Sequence, residues 1–277
     1  MFSFCVLGSG SRGNSTLLVM RDDEQERAIL IDCGLSPRAT GQRMAPLGVR
    51  VADVAEIWLT HLDGDHFRQG WTDVAERFDI TVRLHQRHRN RAVQLGLSGR
   101  QMELFRDPFP LGRDAHAEPV LFAHDALGTV GYVVEHCGLR FGLATDLGRI
   151  PDGLDDRYVD LDALAIESNY DRALQVASDR PDHLKRRIMG GQGHLSNEQS
   201  IDAVAAIDAR SRLRHVVPLH LSQQCNDARL VKKLYAERLP HLLEKLTVSS
   251  QDEPTPLLDV GGPAPAARPG QQLGMFT

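Results

Sequence analysis

The string Thr60-His61-Leu62-Asp63-Gly64-Asp65-His66 constrains this chain more than any other stretch, because four candidate metal ligands follow directly on the apolar run Ile57–Thr60. Turns readily use Asp and Gly, but nothing in turn chemistry calls for flanking histidines. Such a loop can turn His61 and Asp63 toward one cation while Asp65 and His66 face a second. Three further strings repeat the pattern: His124-Asp125 ends the run Val120–Ala123, Asp146 ends Leu139–Ala144, and His220 ends the run beginning at His215. Each candidate ligand thus sits at the C-terminal end of a strand.

Short apolar runs bounded by turn residues predict strands at Phe2–Leu7, Thr16–Met20, Ala28–Asp32, Ile57–Thr60, Val82–Leu84, Val120–Ala123, Val130–Glu135, Leu139–Ala144, Ala163–Glu167 and His215–Pro218, with a last one at Lys245–Ser249. A helix is expected after Ser36-Pro37, where serine can cap and proline can occupy the first turn. Helical periodicity covers Asn197–Ile207, capped by Ser196, and Ala228–Leu239. The expected fold is therefore a layered α/β sandwich, formed by one domain over residues 1–250. Residues 251–277, rich in Pro, Gly and Ala, read as a flexible tail.

Gly8, Gly10 and Gly13 spell GxGxxG after a strand, with Asp32 about 20 residues on, which is the pattern of a dinucleotide-binding turn. That reading requires a helix from Asn14 onward. Thr16–Met20 is instead rich in β-branched and apolar residues, and a hairpin fits it better. A dinucleotide fold also leaves the histidine strings without a purpose.

Composition narrows the setting. With 42% hydrophobic and 25% charged residues the chain is an ordinary globular protein. Its apolar runs are too short for a membrane span and its N-terminus lacks a basic leader, so a cytoplasmic location is expected. Cys5, Cys33, Cys137 and Cys225 form no CxxC pair and read as reduced thiols. A net charge of −5 does not advertise nucleic-acid binding. Even so, no acid occurs between Thr81 and Met102, where five arginines stand, and Lys185-Arg186-Arg187 forms a second basic run that could line a phosphate track.

Taken together, these strings resemble the metallo-β-lactamase superfamily, whose motif is HxHxDH followed by a distant His, a bridging Asp and a last His. GSGSRGNS, LIDCG, AHD, ATDLG, ESNYD, GHLSN and PLHLS, in that order, resemble its YycJ (WalJ)-type branch, described as DNA exonucleases. The resemblance implies an αββα sandwich of two mixed β-sheets flanked by helices. It also implies one metal on His61, Asp63, His124 and Asp146, and a second on Asp65, His66, Asp146 and His220, with Asp146 bridging. The usual second histidine of the motif is Asp63 here. Oxygen in place of nitrogen makes that site harder and shifts preference from zinc toward manganese or iron.

Two metals about 3.5–4 Å apart can share a hydroxide of lowered pKa and clamp both oxygens of a phosphodiester. The expected activity is thus metal-dependent phosphodiester hydrolysis, as a DNA exonuclease in repair or replication. Asp65 is the candidate to hold the proton of the attacking water, and His194 or Tyr170 to serve the leaving group. Asp32 is expected to orient a ligating histidine. Ser11, Arg12 and Asn14 of the glycine-rich loop are candidate phosphate contacts. Gln272-Leu273-Gly274-Met275-Phe276 resembles peptides that bind the bacterial sliding clamp, a second expected partner besides DNA. The rival readings are a small-molecule hydrolase, such as a lactonase or cyclic phosphodiesterase, and a non-catalytic DNA- or clamp-binding protein.

Overall fold

The computed structural model describes residues 1–21 and 26–263. The strands of the first sheet are β1 (Phe2–Gly8), β2 (Ser15–Arg21), β3 (Glu26–Ile31), β4 (Val54–Leu59), β5 (Thr81–His85) and β6 (Met102–Phe105). Those of the second are β7 (Phe109–Pro110), β8 (Ala115–Phe122), β9 (Thr129–His136), β10 (Leu139–Ala144), β11 (Ala163–Glu167) and β12 (His215–Leu219). A late strand, β13 (Leu258–Asp259), returns to the first sheet. The orders are β13-β1-β2-β3-β4-β5-β6 and β12-β11-β10-β9-β8-β7.

Both sheets are mixed. β1, β2 and β3 pair antiparallel and β3 to β6 parallel, while β8, β9 and β10 pair antiparallel and β10 to β12 parallel. Alternation along each strand sorts the core into layers. Phe2, Phe4 and Val6 face Tyr132, Phe141 and Val217 between the sheets, whereas Cys5 and Leu7 point outward. That outer layer also holds Met44 and Trp71, from the helices Pro37–Met44 and Trp71–Phe78. The second sheet is covered by Asn197–Asp208 and Ala228–Arg238 through Ile201, Val204, Val231 and Tyr235. Burial on both faces explains why β10, β11 and β12 read as nearly continuous apolar runs. The result is an αββα sandwich.

Local signals behave as their chemistry dictates. Ser36 caps the first helix by accepting from Ala39 N with Pro37 in its first turn, and Ser196 with Gln199 forms a reciprocal capping box on the helix Asn197–Asp208. The GxGxxG segment is the turn of an antiparallel hairpin, with Val6 paired to Thr16, so no dinucleotide-type helix follows it. None of the four cysteines is disulfide-bonded.

Two expectations are corrected. Lys245–Ser249 is not a strand: a 3-10 turn over Pro240–Lys245 precedes it, and only Leu246 forms a bridge, to Val216. The segment leaves the edge of β12 in order to cross to the other sheet's loop, where Ser250 O accepts from Ser9 N at 3.0 Å. Nor does a loose tail begin at residue 251. Val6 N donates to Thr255 Oγ1 at 3.0 Å, Val260 N donates to Phe2 O at 2.8 Å, and Leu258 and Val260 are buried between the sheets. Without β13, β1 would be an edge strand with unpaired backbone groups, and this segment covers them. The clamp-like peptide Gln272–Phe276 lies outside the described residues. Among the described residues no helix is long and apolar enough to cross a membrane.

Candidate metal centre

Strands of both sheets end on one face of the sandwich, and their last residues or first loop residues converge there. Asp32 follows β3, His61 follows β4, His124 follows β8, Asp146 follows β10, Glu167 ends β11 and His220 follows β12. Asp32, Asp146 and His220 hold left-handed backbone, with φ of 61°, 56° and 56°. For residues with a Cβ this conformation costs about 1–3 kcal/mol, and it persists where surrounding contacts over-determine it. Here they do. Asp32 Oδ1 accepts from Thr60 N at 2.8 Å, and Ser9 Oγ accepts from His220 N at 2.7 Å.

Potential ligand atoms fall into overlapping groups, in each of which they lie within 4.8 Å of one another: His61, Asp63 and His124; His61, His66 and Asp146; Asp65, His66 and His220; and Asp146, Glu167, His194 and His220. Asp146 belongs to two of these groups. Its Oδ2 is 2.9 Å from His66 Nε2, and its Oδ1 is 3.4 Å from both His194 Nδ1 and His220 Nδ1. His220 Nε2 is 3.4 Å from Asp65 Oδ2, and His61 Nε2 is 3.9 Å from Asp63 Oδ2.

The other ring nitrogens are held from behind. His66 Nδ1 donates to Asp32 Oδ2 at 2.7 Å, His124 Nδ1 donates to Gly193 O at 3.1 Å, and His61 Nδ1 lies 3.0 Å from Thr60 Oγ1, which itself donates to Asp32. Each contact fixes a tautomer that presents Nε2 to the centre of the site. Asp63 and Asp65 form the open rim, with side chains 57% and 25% exposed, while the other ligand candidates lie deeper.

Electrostatics follow from this crowding. Burial alone favours neutral forms, yet the His66 and His220 imidazoliums are raised by the carboxylates around them, His220 to about 10 through Asp146, Asp65 and Glu167. Asp146 is held well below the usual carboxylate range by His220 and His66 against the opposing effect of burial. His61, buried and beside His66, is pushed well below its usual value and is neutral. Buried carboxylates and imidazoles that converge without apolar filling suit divalent cations, since oxygen and nitrogen donors of this mixture serve Zn, Mn and Fe alike. Chelation is therefore expected to lower the thermal midpoint by about 5–10 °C if the ion was present at roughly a hundred times its dissociation constant. Calorimetry with and without a chelator measures this, and an unchanged midpoint would contradict it.

Of the candidates named from sequence, His61, Asp63, Asp65, His66, His124, Asp146, His194 and His220 are brought together. Asp32 stands behind His66. Asn14 is buried rather than free for substrate: its Nδ2 lies 3.0 Å from His66 Nε2 and 3.4 Å from Asp65 Oδ2, and its Oδ1 accepts from Gly10 N at 2.8 Å. Ser11 is exposed at the tip of the same loop. The Arg12 guanidinium pairs with Asp252 at 2.8 Å, in the segment expected to be a tail. Tyr170 lies within reach of the Glu167 charge but does not bond to the cluster. It packs with Ile188 and Cys225 and makes no side-chain hydrogen bond to a ligand candidate among the described residues.

Sequence reasoning missed Glu167. Fully buried, its Oε1 lies 2.7 Å from His194 Nδ1 and 3.3 Å from His220 Nδ1, and its Oε2 accepts from Leu147 N. Its signal was present, since a carboxylate closing the otherwise apolar strand Ala163–Glu167 needs a buried partner.

Comparison with known proteins agrees with the fold. The β-lactamase superfamily domain matches residues 27–221. The chain is 29% identical over 233 residues to exodeoxyribonuclease YycJ of Bacillus anthracis, covering 83% of this chain and 86% of that one. It is 25% identical over 270 residues to exodeoxyribonuclease WalJ of Streptococcus pneumoniae, covering 94% and 98%. The crystal structure of the metallo-β-lactamase fold protein YhfI from Bacillus subtilis superposes with a TM-score of 0.68 at 12% identity, over 92% of this chain and 98% of that one. The chain belongs to the metallo-β-lactamase superfamily of hydrolases, in its YycJ-type branch.

Proposed function

We propose that the chain is a DNA exonuclease working with two divalent cations, one held by His61, Asp63, His124 and Asp146 and the other by Asp65, His66, Asp146 and His220. The observation that carries this reading is the placement of Asp146, whose carboxylate belongs both to the group of His61 and His66 and to that of His194 and His220. Similarity to two exodeoxyribonucleases over most of all three chains supports DNA as the substrate. When bound, such ions polarise a phosphoryl oxygen and lower the pKa of a coordinated water.

The chain's own residues then divide the proton work. Asp65, at the open rim, stays ionised: burial opposes this, but the hydrogen bond from His220 and the charge of His66 lower its pKa. It is thus able to hold or accept the proton of an attacking water. His194 is 21% exposed and has Nδ1 fixed by Glu167, which leaves Nε2 to serve the leaving oxygen. Tyr170, packed among Ile188 and Cys225, is the weaker candidate for that duty. Asp63 gives the first site a hard, exposed oxygen donor, which favours manganese or iron there; elemental analysis of freshly purified protein, showing zinc alone at both sites, would count against this.

Digestion of end-labelled duplex and single-stranded DNA, with manganese or zinc supplied, tests the reading. Metal-dependent shortening is expected, falling by about a hundredfold or more in Asp65→Ala, the scale of a lost general base. If wild type and variant leave DNA equally intact while metal stays bound, the nuclease reading fails and small esters become the next substrates.

A further inference from the structure

We propose that the turn Gln86–Gln94 and Arg106 form a phosphate-binding shelf beside the metal centre, holding the DNA backbone beyond the scissile bond. This rests on the nuclease reading above.

Register places the shelf. β4, β5 and β6 run parallel, with Leu59 opposite Leu84 and His85 opposite Phe105. The residues that follow these strands therefore emerge along one edge: the His61–His66 loop, then Gln86–Gln94, then Arg106. His88 is buried beneath the turn, and Leu84 lies opposite Leu59, so the turn begins alongside the start of the ligand loop.

Charge gives it a purpose. From Thr81 to Arg106 there are six arginines and one acid, Glu103, in a chain of net charge −5. Arg83 is consumed within the sheet by Glu56 and Glu103. Arg87, Arg89, Arg91 and Arg106 are exposed, and among the described residues none has a carboxylate partner or a side-chain hydrogen bond. Elsewhere exposed arginines are divided: Arg12, Arg50, Arg229 and Arg238 pair with carboxylates, whereas Arg38, Arg77, Arg149 and Arg172 have no such partner among the described residues, so it is the clustering of four beside the ligand loop that sets this group apart. His85 pairs with Phe105, so Arg87 and Arg106 follow the adjacent ends of β5 and β6.

A polyanion reaches the centre past the open rim formed by Asp63 and Asp65. Unpaired arginines along the adjoining edge raise the local concentration of phosphate there. Several guanidiniums along one edge suit the phosphates of a polynucleotide, whereas a small ester reaches at most one of them.

Binding of a phosphorothioate duplex, which resists hydrolysis, tests the shelf by fluorescence anisotropy across a salt series. The variant Arg87→Gln/Arg89→Gln/Arg91→Gln/Arg106→Gln is expected to bind at least tenfold more weakly at physiological salt. Each lost contact should make the slope of log affinity against log salt shallower by about 0.9. The matching Arg→Lys variant should recover most of the affinity and the slope. Arg212→Gln, an exposed arginine just before β12 and so at the opposite end of the strands, should change neither. Wild-type affinity and slope in the glutamine variant would overturn the shelf, as would a lysine variant as weak as the glutamine one. Wild-type digestion of ordinary DNA judges the nuclease reading separately.

Discussion

Asp146→Asn is expected to retain less than about one-thousandth of wild-type activity and to lose metal, while keeping its fold. The substitution preserves volume and one oxygen but removes the charge that balances His66 and His220, both of which are buried. The Asp146 oxygens point at different partners, Oδ2 at His66 and Oδ1 at His194 and His220. Among the described residues no other side chain is shared by the candidate ligand groups of His61 and His194. Asparagine would turn a hydrogen-bond donor toward one of these two sides, leaving two rather than four acceptor sites to receive imidazole N–H groups or a cation. Several kcal/mol of transition-state stabilisation rest on a properly filled centre, and each 1.36 kcal/mol is worth tenfold in rate, which sets the size of the effect. Metal stoichiometry by elemental analysis and DNA digestion by the same preparation measure it. Activity within tenfold of wild type at full metal content would show that Asp146 does not join the two halves of the centre.

How much of this centre the sequence reveals depends on how locally each contact is encoded. Candidate ligands at strand ends are legible because an apolar run followed by His or Asp marks both the strand and its exit: β10 and β11 have the bounds their apolar runs suggest. Side chains that act behind the ligands are harder to read. Asn14 sits in a loop whose glycines suggest a phosphate cradle, yet it faces inward to His66 because Gly10 and Ser9 both donate to its carbonyl oxygen. Glu167 looks like the polar end of a strand until folding places His194 and His220 against it. The segment after Ser250 misleads through composition. Proline and glycine argue against regular structure, but one glutamine and one threonine anchor it, with Gln251 Nε2 donating to Gly13 O at 2.9 Å and Thr255 bonding both ways with Val6. Such anchoring is a property of the edge strand it covers, far away in sequence.

Gly34→Ala is expected to damage the protein more than any substitution in the ligand loop's own glycine. Gly34 lies where three segments are laced by backbone hydrogen bonds: Gly34 N donates to Asn14 O at 2.9 Å, Asn14 N to Asp65 O at 2.7 Å, and Cys33 N to His66 O at 2.8 Å. Arg68 Nε closes the same junction by donating to Gly34 O at 2.6 Å. A Cβ on residue 34 would overlap the carbonyl of Asp65 and approach Asn14 N to 2.8 Å. Those are backbone atoms, so no rotamer relieves the clash; the His61–His66 loop itself must shift and carry Asp65 and His66 with it. Overpacking of this kind costs about 3 kcal/mol or more, or a midpoint lower by about 6–12 °C. The displaced ligands should also weaken metal binding and cut activity by at least about a hundredfold, since small misplacements have that effect on catalysis. Gly64, which the motif makes the more conspicuous glycine, has open space around its Cβ position and no left-handed backbone. Gly64→Ala should therefore leave the midpoint within about 1 °C of wild type, as surface substitutions do. Equal midpoints and metal contents for the two alanine variants would mean that the loop is not held against Gly34, and that the close packing of these three segments does not set the position of Asp65 and His66.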